Sequence, residues 1–381
     1  RMMTMADNKD KKALNVPALR FPEFTEEWES VLLEDVAEFQ KKRISSDLLN
    51  NSNYISTENI LQNFGGVQNS ISIPANTNVI EYQKGDVLLS NIRPYLKKVW
   101  LSDRHGGCSA DVFVLRGNQC ERRFLYYVIA SDRFINFVMS GAKGVKMPRG
   151  DKSQMEKFAF FIPTNVEQKK IARFLSMLDE RIRLQNKIIE DLRLLRDAIS
   201  VCLLSPKSDW KCYKVSEIAD IGRGRVISSK EIANQNNPQY PVYSSQTSNE
   251  GIMGYLDNYA FDGEYITWTT DGANAGTVFY RNGRFNCTNV CGTLKLHYQF
   301  DAYYCSLVLA NATKKYVSVN LANPKLMNNT MAAIKLYLPP FQEQKRMAQL
   351  FRKMDENITL EHKLLLSYQK QKHYLLQQMF I

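Results

Sequence analysis

The sequence has no uninterrupted apolar run near the roughly 18 residues that a membrane-spanning helix needs, so no membrane span is expected. Histidine is scarce (His105, His297, His362 and His373), and the seven cysteines form no disulfide-like frame. An odd, scattered set of thiols fits a reducing, cytoplasmic compartment. Cys287 and Cys291 are the one close pair, and two further ligands at zinc-site spacing are missing, so no metal site is expected. No GxxxxGK[ST] phosphate loop occurs, which argues against nucleotide hydrolysis. An adenine methyltransferase would carry an Asn- or Asp-Pro-Pro-aromatic motif, and only near misses are found. LPPF (Leu338–Phe341) has Leu in place of the hydrogen-bonding residue, and NPQY (Asn237–Tyr240) lacks the second proline. Neither comes with a Gly-rich strand-turn-helix: IGRGR, ending at Arg225, runs on into VISSKE, not into a clear helix. The polar leader RMMTMADNKDKK, residues 1–12, lacks the apolar centre of a secretory signal and is expected to be disordered.

What is present is a globular composition, 44% hydrophobic and 11% aromatic over 381 residues, enough for two or three domains. It is also a repeated text. EQKKIARFLSMLDE from Glu167 and EQKRMAQLFRKMDE from Glu343 agree at Glu, Gln, Lys, Ala, Asp and Glu, 176 positions apart. Pro163 and Pro339 precede the two copies, Pro148 aligns with Pro324, Met155 with Met331, and Tyr126-Tyr127 with Tyr303-Tyr304. WESVLLEDVAEF from Trp28 echoes WKCYKVSEIADI from Trp210. The chain is therefore a tandem duplication, each half a globular region followed by a helix.

The helices are the plainest element. Ile171, Leu175, Leu178, Ile182, Ile189, Leu192, Leu195 and Ile199 step by fours and threes, as do Met347, Phe351, Met354, Ile358, Leu365, Tyr368 and Leu375. Gln185 and Glu361 interrupt the two seams at matching phase, where a polar group can fix pairing register. A helix of this length outreaches its own globular region, and the other copy is the nearest candidate to pack on it. The globular parts read as short strands and turns, for example GDVLLSN, DVFVLRG, EYITWTT and GTVFY, with RRFLYYVIASDRFINFVMS as an intervening helix. The fold class is α+β and internally duplicated. Its expected boundaries are globular regions 13–165 and 206–341, with helices at 166–205 and 342–381.

A formal net charge of +11 favours a polyanionic partner, and the cations cluster in turn-rich stretches. These give Lys41, Lys42 and Arg43, then Arg93, Lys97 and Lys98, then Lys143, Lys146 and Arg149 in the first copy. In the second copy they give Arg223, Arg225, Lys325 and Asn328, with Ser245, Gln246, Thr270 and Asn274 as further candidates for reading base edges. Lys and Arg neutralise phosphates, Gly and Pro allow close backbone approach, and Asn, Gln and Ser offer paired donors and acceptors. The loops 141–152 and 322–329 recur at equivalent places just before the long helices.

This organisation resembles the specificity subunit of type I restriction-modification systems. The resemblance rests on P-x-x-x-EQ-x-x-I/M-A at Pro163–Ala172 and Pro339–Ala348, on FPEF-x-x-x-W at Phe21–Trp28, and on the YPVYSSQ…GIMGY stretch from Tyr240 to Tyr255. It covers the chain after the leader. It implies two target recognition domains, each binding half of a split asymmetric sequence in double-stranded DNA. Two antiparallel coiled-coil helices would act as a ruler between them. It also implies a subunit with no catalytic centre that docks two modification (methyltransferase) subunits and is joined by restriction/translocase subunits. S-adenosylmethionine, Mg²⁺ and ATP then belong to those partners, with no cofactor in this chain. The competing reading is a coiled-coil structural adaptor whose globular domains bind protein or RNA.

Overall fold

The computed structural model describes residues 15–318 and 323–380. The leader at 1–12 and the first residue of the 322–329 loop lie outside the described residues. The chain divides into two compact units, Arg1–Lys187 with Lys363–Ile381, and Ile188–His362. Among the described residues no helix is long and apolar enough to cross a membrane.

In the first unit the strand Glu29–Leu32 pairs antiparallel with Ala159–Ile162, which closes the globular part just before the long helix. A four-stranded sheet follows in the order Ala37–Phe39, Val112–Gly117, Val87–Ser90, Val99–Leu101. All four residues of Val87–Ser90 are buried, as suits an inner strand covered on both faces. The second unit repeats this plan: Lys211–Lys214 pairs with Lys335–Leu338, and a sheet runs Ala219–Arg223, Cys291–Leu296, Tyr265–Thr269, Val278–Arg281. The strand-like runs of the sequence are therefore the central sheets. Trp28 and Trp210, the aligned tryptophans, each lie in the main core of their unit.

The copies diverge in a second, smaller sheet. It has four strands in the first unit (Arg43–Ser45, Asn78–Tyr82, Gly106–Cys108, Tyr54–Ile55) and three in the second (Ile252–Leu256, Tyr240–Tyr243, Asn286–Cys287). The segment expected as one helix from Arg122 to Ser140 is two, Arg122–Ile129 and Asp132–Ser140. Ser131 causes the break. Its Oγ accepts from the Phe134 N–H at 3.2 Å and donates to the Val128 carbonyl at 2.6 Å, capping a new helix where the apolar pattern alone runs on.

The long helices span Asn165–Leu203 and Phe341–Gln378, and each contributes one half to each unit. They are antiparallel within both units, because partners descend along one helix as numbers rise along the other. Asp179 meets Lys372 and Arg181 lies over Tyr368 in the first unit; Arg193 meets His362 and Arg196 meets Asp355 in the second. Ile171, Leu175, Ile189, Met347, Phe351, Leu365 and Leu375 are buried, and so is the polar Gln185. Leu195 is a correction: it is 52% exposed, and Arg196 takes the seam place. Threes and fours counted from Ile189 allow either residue, and the Asp355 carboxylate decides for the arginine.

The repeated motif is a lock. Gln168 is 3% exposed; its carbonyl accepts from the Glu121 N–H at 2.8 Å and its amide donates to the Pro163 carbonyl at 2.8 Å. Gln344, 2% exposed, accepts from the Asp301 N–H at 3.1 Å and donates to the Pro339 carbonyl at 2.9 Å. Glu121 and Asp301 cap the following helices, accepting from Phe124 and Tyr304 N–H groups. One glutamine thus ties the root of each long helix to the first turn of a helix in the globular part. A polar triad adds a second tie. Tyr127 donates to Asp179, which also meets Lys372; Tyr303 donates to Asp355, which also meets Arg196. Burial, then the adjacent carboxylate, pushes both phenols above their ordinary range and keeps them as donors.

Replacing Gln168 or Gln344 by Ala leaves a buried carbonyl and a half-buried N–H without their glutamine partner. Each substitution should cost about 1–3 kcal/mol, read as a lower urea midpoint of the whole chain. The two effects should be of similar size.

Candidate nucleic-acid interface

In the first unit the inner strand Val87–Ser90 runs out into a basic loop that meets a second basic segment from far along the chain. The Arg93 N–H donates to the Pro148 carbonyl at 2.8 Å and the Gly150 N–H to the Asn91 carbonyl at 3.1 Å. Lys143 and Arg149 exchange backbone hydrogen bonds at 3.0 and 2.9 Å, which makes 143–149 a tight hairpin. Gly144 turns it with φ +97°, a left-handed value that a side chain would resist. Val145 stands fully exposed at its tip. Two stretches that the sequence offered separately therefore form one surface.

Most of the candidate cations in this unit are already engaged. Arg149 pairs with Asp111 at 2.9 Å, Lys143 with Asp151 at 2.9 Å, and Lys97 with Asp132, while Lys98 donates to the Thr57 carbonyl at 2.6 Å. Lys143 and the Gln154 N–H hold the Asp151 carboxyl below its usual range. Lys42 pairs with Glu81 at 2.8 Å, and His105 reaches the same carboxylate at 2.9 Å; hydrogen bonds from both lower its pKa. Arg43 donates to the Asn78 carbonyl at 3.2 Å. Lys41, Arg93 and Lys146 are exposed and, among the described residues, have no side-chain hydrogen bond or ion pair. Lys41 precedes the smaller sheet, whereas Arg93 and Lys146 share the loop-and-hairpin surface.

The second unit builds the same frame with other side chains. The Leu326 N–H donates to the Thr270 carbonyl at 2.9 Å and the Gly272 N–H to the Pro324 carbonyl at 3.0 Å; Ser318 pairs with Lys325 as Lys143 does with Arg149. Asp271 sits in the middle, 3.5 Å from Lys325 and 3.9 Å from Arg223. Thr270 is a correction: it is fully buried and donates to Asp271 at 2.8 Å, so its hydroxyl is spent on the turn and cannot meet a base. Gln246 is half-buried and donates to the Ile252 carbonyl, Ser245 is half-buried, and Asn328 donates to the Gly222 carbonyl at 3.3 Å. Arg225 is taken by Glu231, whose carboxyl it holds down. Asn274 is exposed. Sequence reasoning missed Lys314, Lys315 and Tyr316, all exposed, beside the 270–276 loop that Thr313 anchors through the Gly276 carbonyl at 2.8 Å. The Lys-Lys-Tyr run was the available signal: two charges next to an aromatic face.

Among the described residues no group of three or more His, Cys, Asp or Glu is placed to hold a metal ion. LPPF is the junction between the last strand and the C-terminal helix, with Leu338 buried and the Pro339 carbonyl engaged by Gln344. In NPQY the Asn237 N–H is tied to Asp257 at 2.8 Å.

A family model described as the type I restriction modification DNA specificity domain matches residues 25–194 and again 207–367. A putative type I specificity subunit of Mycoplasma pneumoniae, described as an N-terminus, is 46% identical over 140 residues, 36% of this chain and 74% of that protein. Another putative type I specificity subunit of the same organism is 40% identical over 147 residues, 38% of this chain and 40% of that protein. The chain thus spans well under half the length of the second relative. The fold is similar to that of a crystal structure of a type I restriction-modification S subunit from M. genitalium. The TM-score is 0.67 at 18% identity, covering 96% of this chain and 99% of that one. With a duplicated core, a locked antiparallel helix pair and two matches to one family model, the chain belongs to the type I restriction modification DNA specificity domain family.

Proposed function

We propose that the chain is the sequence-recognition subunit of a type I restriction-modification complex and has no catalytic centre of its own. Each unit reads one half of a bipartite, asymmetric duplex site, and the helix pair sets the gap between the halves. The observation that carries this reading is the loop-and-hairpin surface, one backbone frame built twice. Arg149 and Lys325 hold matching places on it, and unlike side chains surround them. A common scaffold with different exposed groups suits two heads that grip the same polymer and read different letters. The helices support the second half of the proposal, since their 39 and 38 residues run unbroken.

The partners follow from the same reading. Two modification subunits supply methyl transfer with S-adenosylmethionine, and restriction/translocase subunits supply Mg²⁺- and ATP-dependent work. The long helices keep apolar side chains exposed away from the seam: Met177, Leu184, Leu366 and Tyr374 in the first unit, Leu194, Leu195, Val201 and Leu360 in the second. Such residues mark helix faces that suit partner subunits.

The test uses the chain assembled with its modification subunits and duplexes from a randomised library. Removing one heptad from each helix at matching places keeps the seam in phase and shortens the pair by about 10 Å. The preferred gap should contract by about three base pairs, with both half-sites unchanged. An unchanged gap with intact binding would sink the ruler. Salt-insensitive or absent duplex binding by the unaltered assembly would instead favour the adaptor reading. For docking, Leu184→Glu with Leu366→Glu should weaken co-purification of the modification subunit at least tenfold while leaving the far-ultraviolet circular dichroism unchanged.

A further inference from the structure

We propose that Arg93 is the side chain by which the first unit recognises a guanine in its half-site, and that Lys146 on the same surface serves phosphate only. The inference rests on the DNA-reading function proposed above and adds the base and the group that reads it. Arg93 has φ +51° and ψ +64°, a left-handed conformation that residues other than Gly, Asn and Asp seldom adopt. The surrounding bonds hold it there. Its N–H is bound by the Pro148 carbonyl, its carbonyl accepts from the Leu96 N–H at 2.9 Å, and Pro94 next to it is buried. The Leu96 carbonyl is itself held by the Asn63 N–H at 3.0 Å. An uncommon backbone fixed from both sides, carrying an exposed side chain, is the arrangement found where a group is being presented.

The neighbouring charges sharpen the assignment. Arg149, Lys143 and Lys97 each have a carboxylate, and Lys98 has a carbonyl. Among the described residues, Arg93 is therefore the one guanidinium of the loop and hairpin left with all its donors open, and a guanidinium matches the O6 and N7 acceptors of guanine with two parallel hydrogen bonds. Lys146, at the glycine-turned tip, is a point charge on a flexible stem, which suits phosphate but not a fork.

The experiment is selection from a duplex library randomised at every position, using the assembled complex. Two variants are compared with the unaltered chain: Arg93→Asn, since asparagine tolerates the left-handed backbone, and Arg93→Lys, which keeps the charge and removes the fork. Both should lose about tenfold or more of the preference for one guanine in one half-site, with the other half-site intact. The salt slope should fall by about one for Lys146→Ala, which removes a phosphate contact, and stay for Arg93→Lys, which keeps its charge. Lys146→Ala should weaken all duplexes alike. An unchanged motif with Arg93→Asn, a changed base preference with Lys146→Ala, or loss of both half-sites with Arg93→Lys would each overturn the assignment. An unaltered complex that selects no duplex would overturn the DNA-reading function itself, and Arg93 with it.

Discussion

A buried glutamine amide has to find a donor and an acceptor at once, and in both units it finds the same two. Gln168 and Gln344 each take an N–H from a helix-capping residue and give one to the carbonyl of a proline that precedes a long helix. Backbone groups do not move without their elements, so a side chain bonded to two of them fixes one element against another. Everything downstream depends on this: the globular part of each unit is held to its long helix at a defined angle. The Tyr127–Asp179–Lys372 and Tyr303–Asp355–Arg196 triads extend the tie to the opposite helix. The text shared by the two copies thus contains a joint, the glutamine that ties each long helix to its globular part.

The joint is alike in the two units, and other parts of them differ. The shared frame, an inner strand leading to a loop that is bonded to a hairpin, carries Arg93 and Lys146 in one copy and Asp271, Arg223 and Lys325 in the other. The smaller sheets differ even in strand number, four against three. A common frame with unlike side chains and unlike smaller sheets is what the proposed reading, two heads with different targets, would require. The formal charge of +11 overstates what these heads can offer a polyanion, because many of the clustered cations already have carboxylate or carbonyl partners.

The sequence by itself determined the duplication, the α+β class, the central strands and the helix seam, because these depend on periodic apolar spacing and on aligned residues such as Trp28 and Trp210. It also located the loops of the candidate surface, since Gly, Pro, Asn and Asp mark turns largely through their own backbone chemistry. Only the tertiary structure decided which cations are free, that Thr270 is buried, that Arg196 and not Leu195 lies on the seam, and that Lys314, Lys315 and Tyr316 flank the second surface. The physical reason is that burial and pairing depend on what the fold brings together. A local pattern reports a residue's preference, but whether a charge is spent depends on a carboxylate brought near from elsewhere in the chain, as Asp111, Asp132 and Asp355 are.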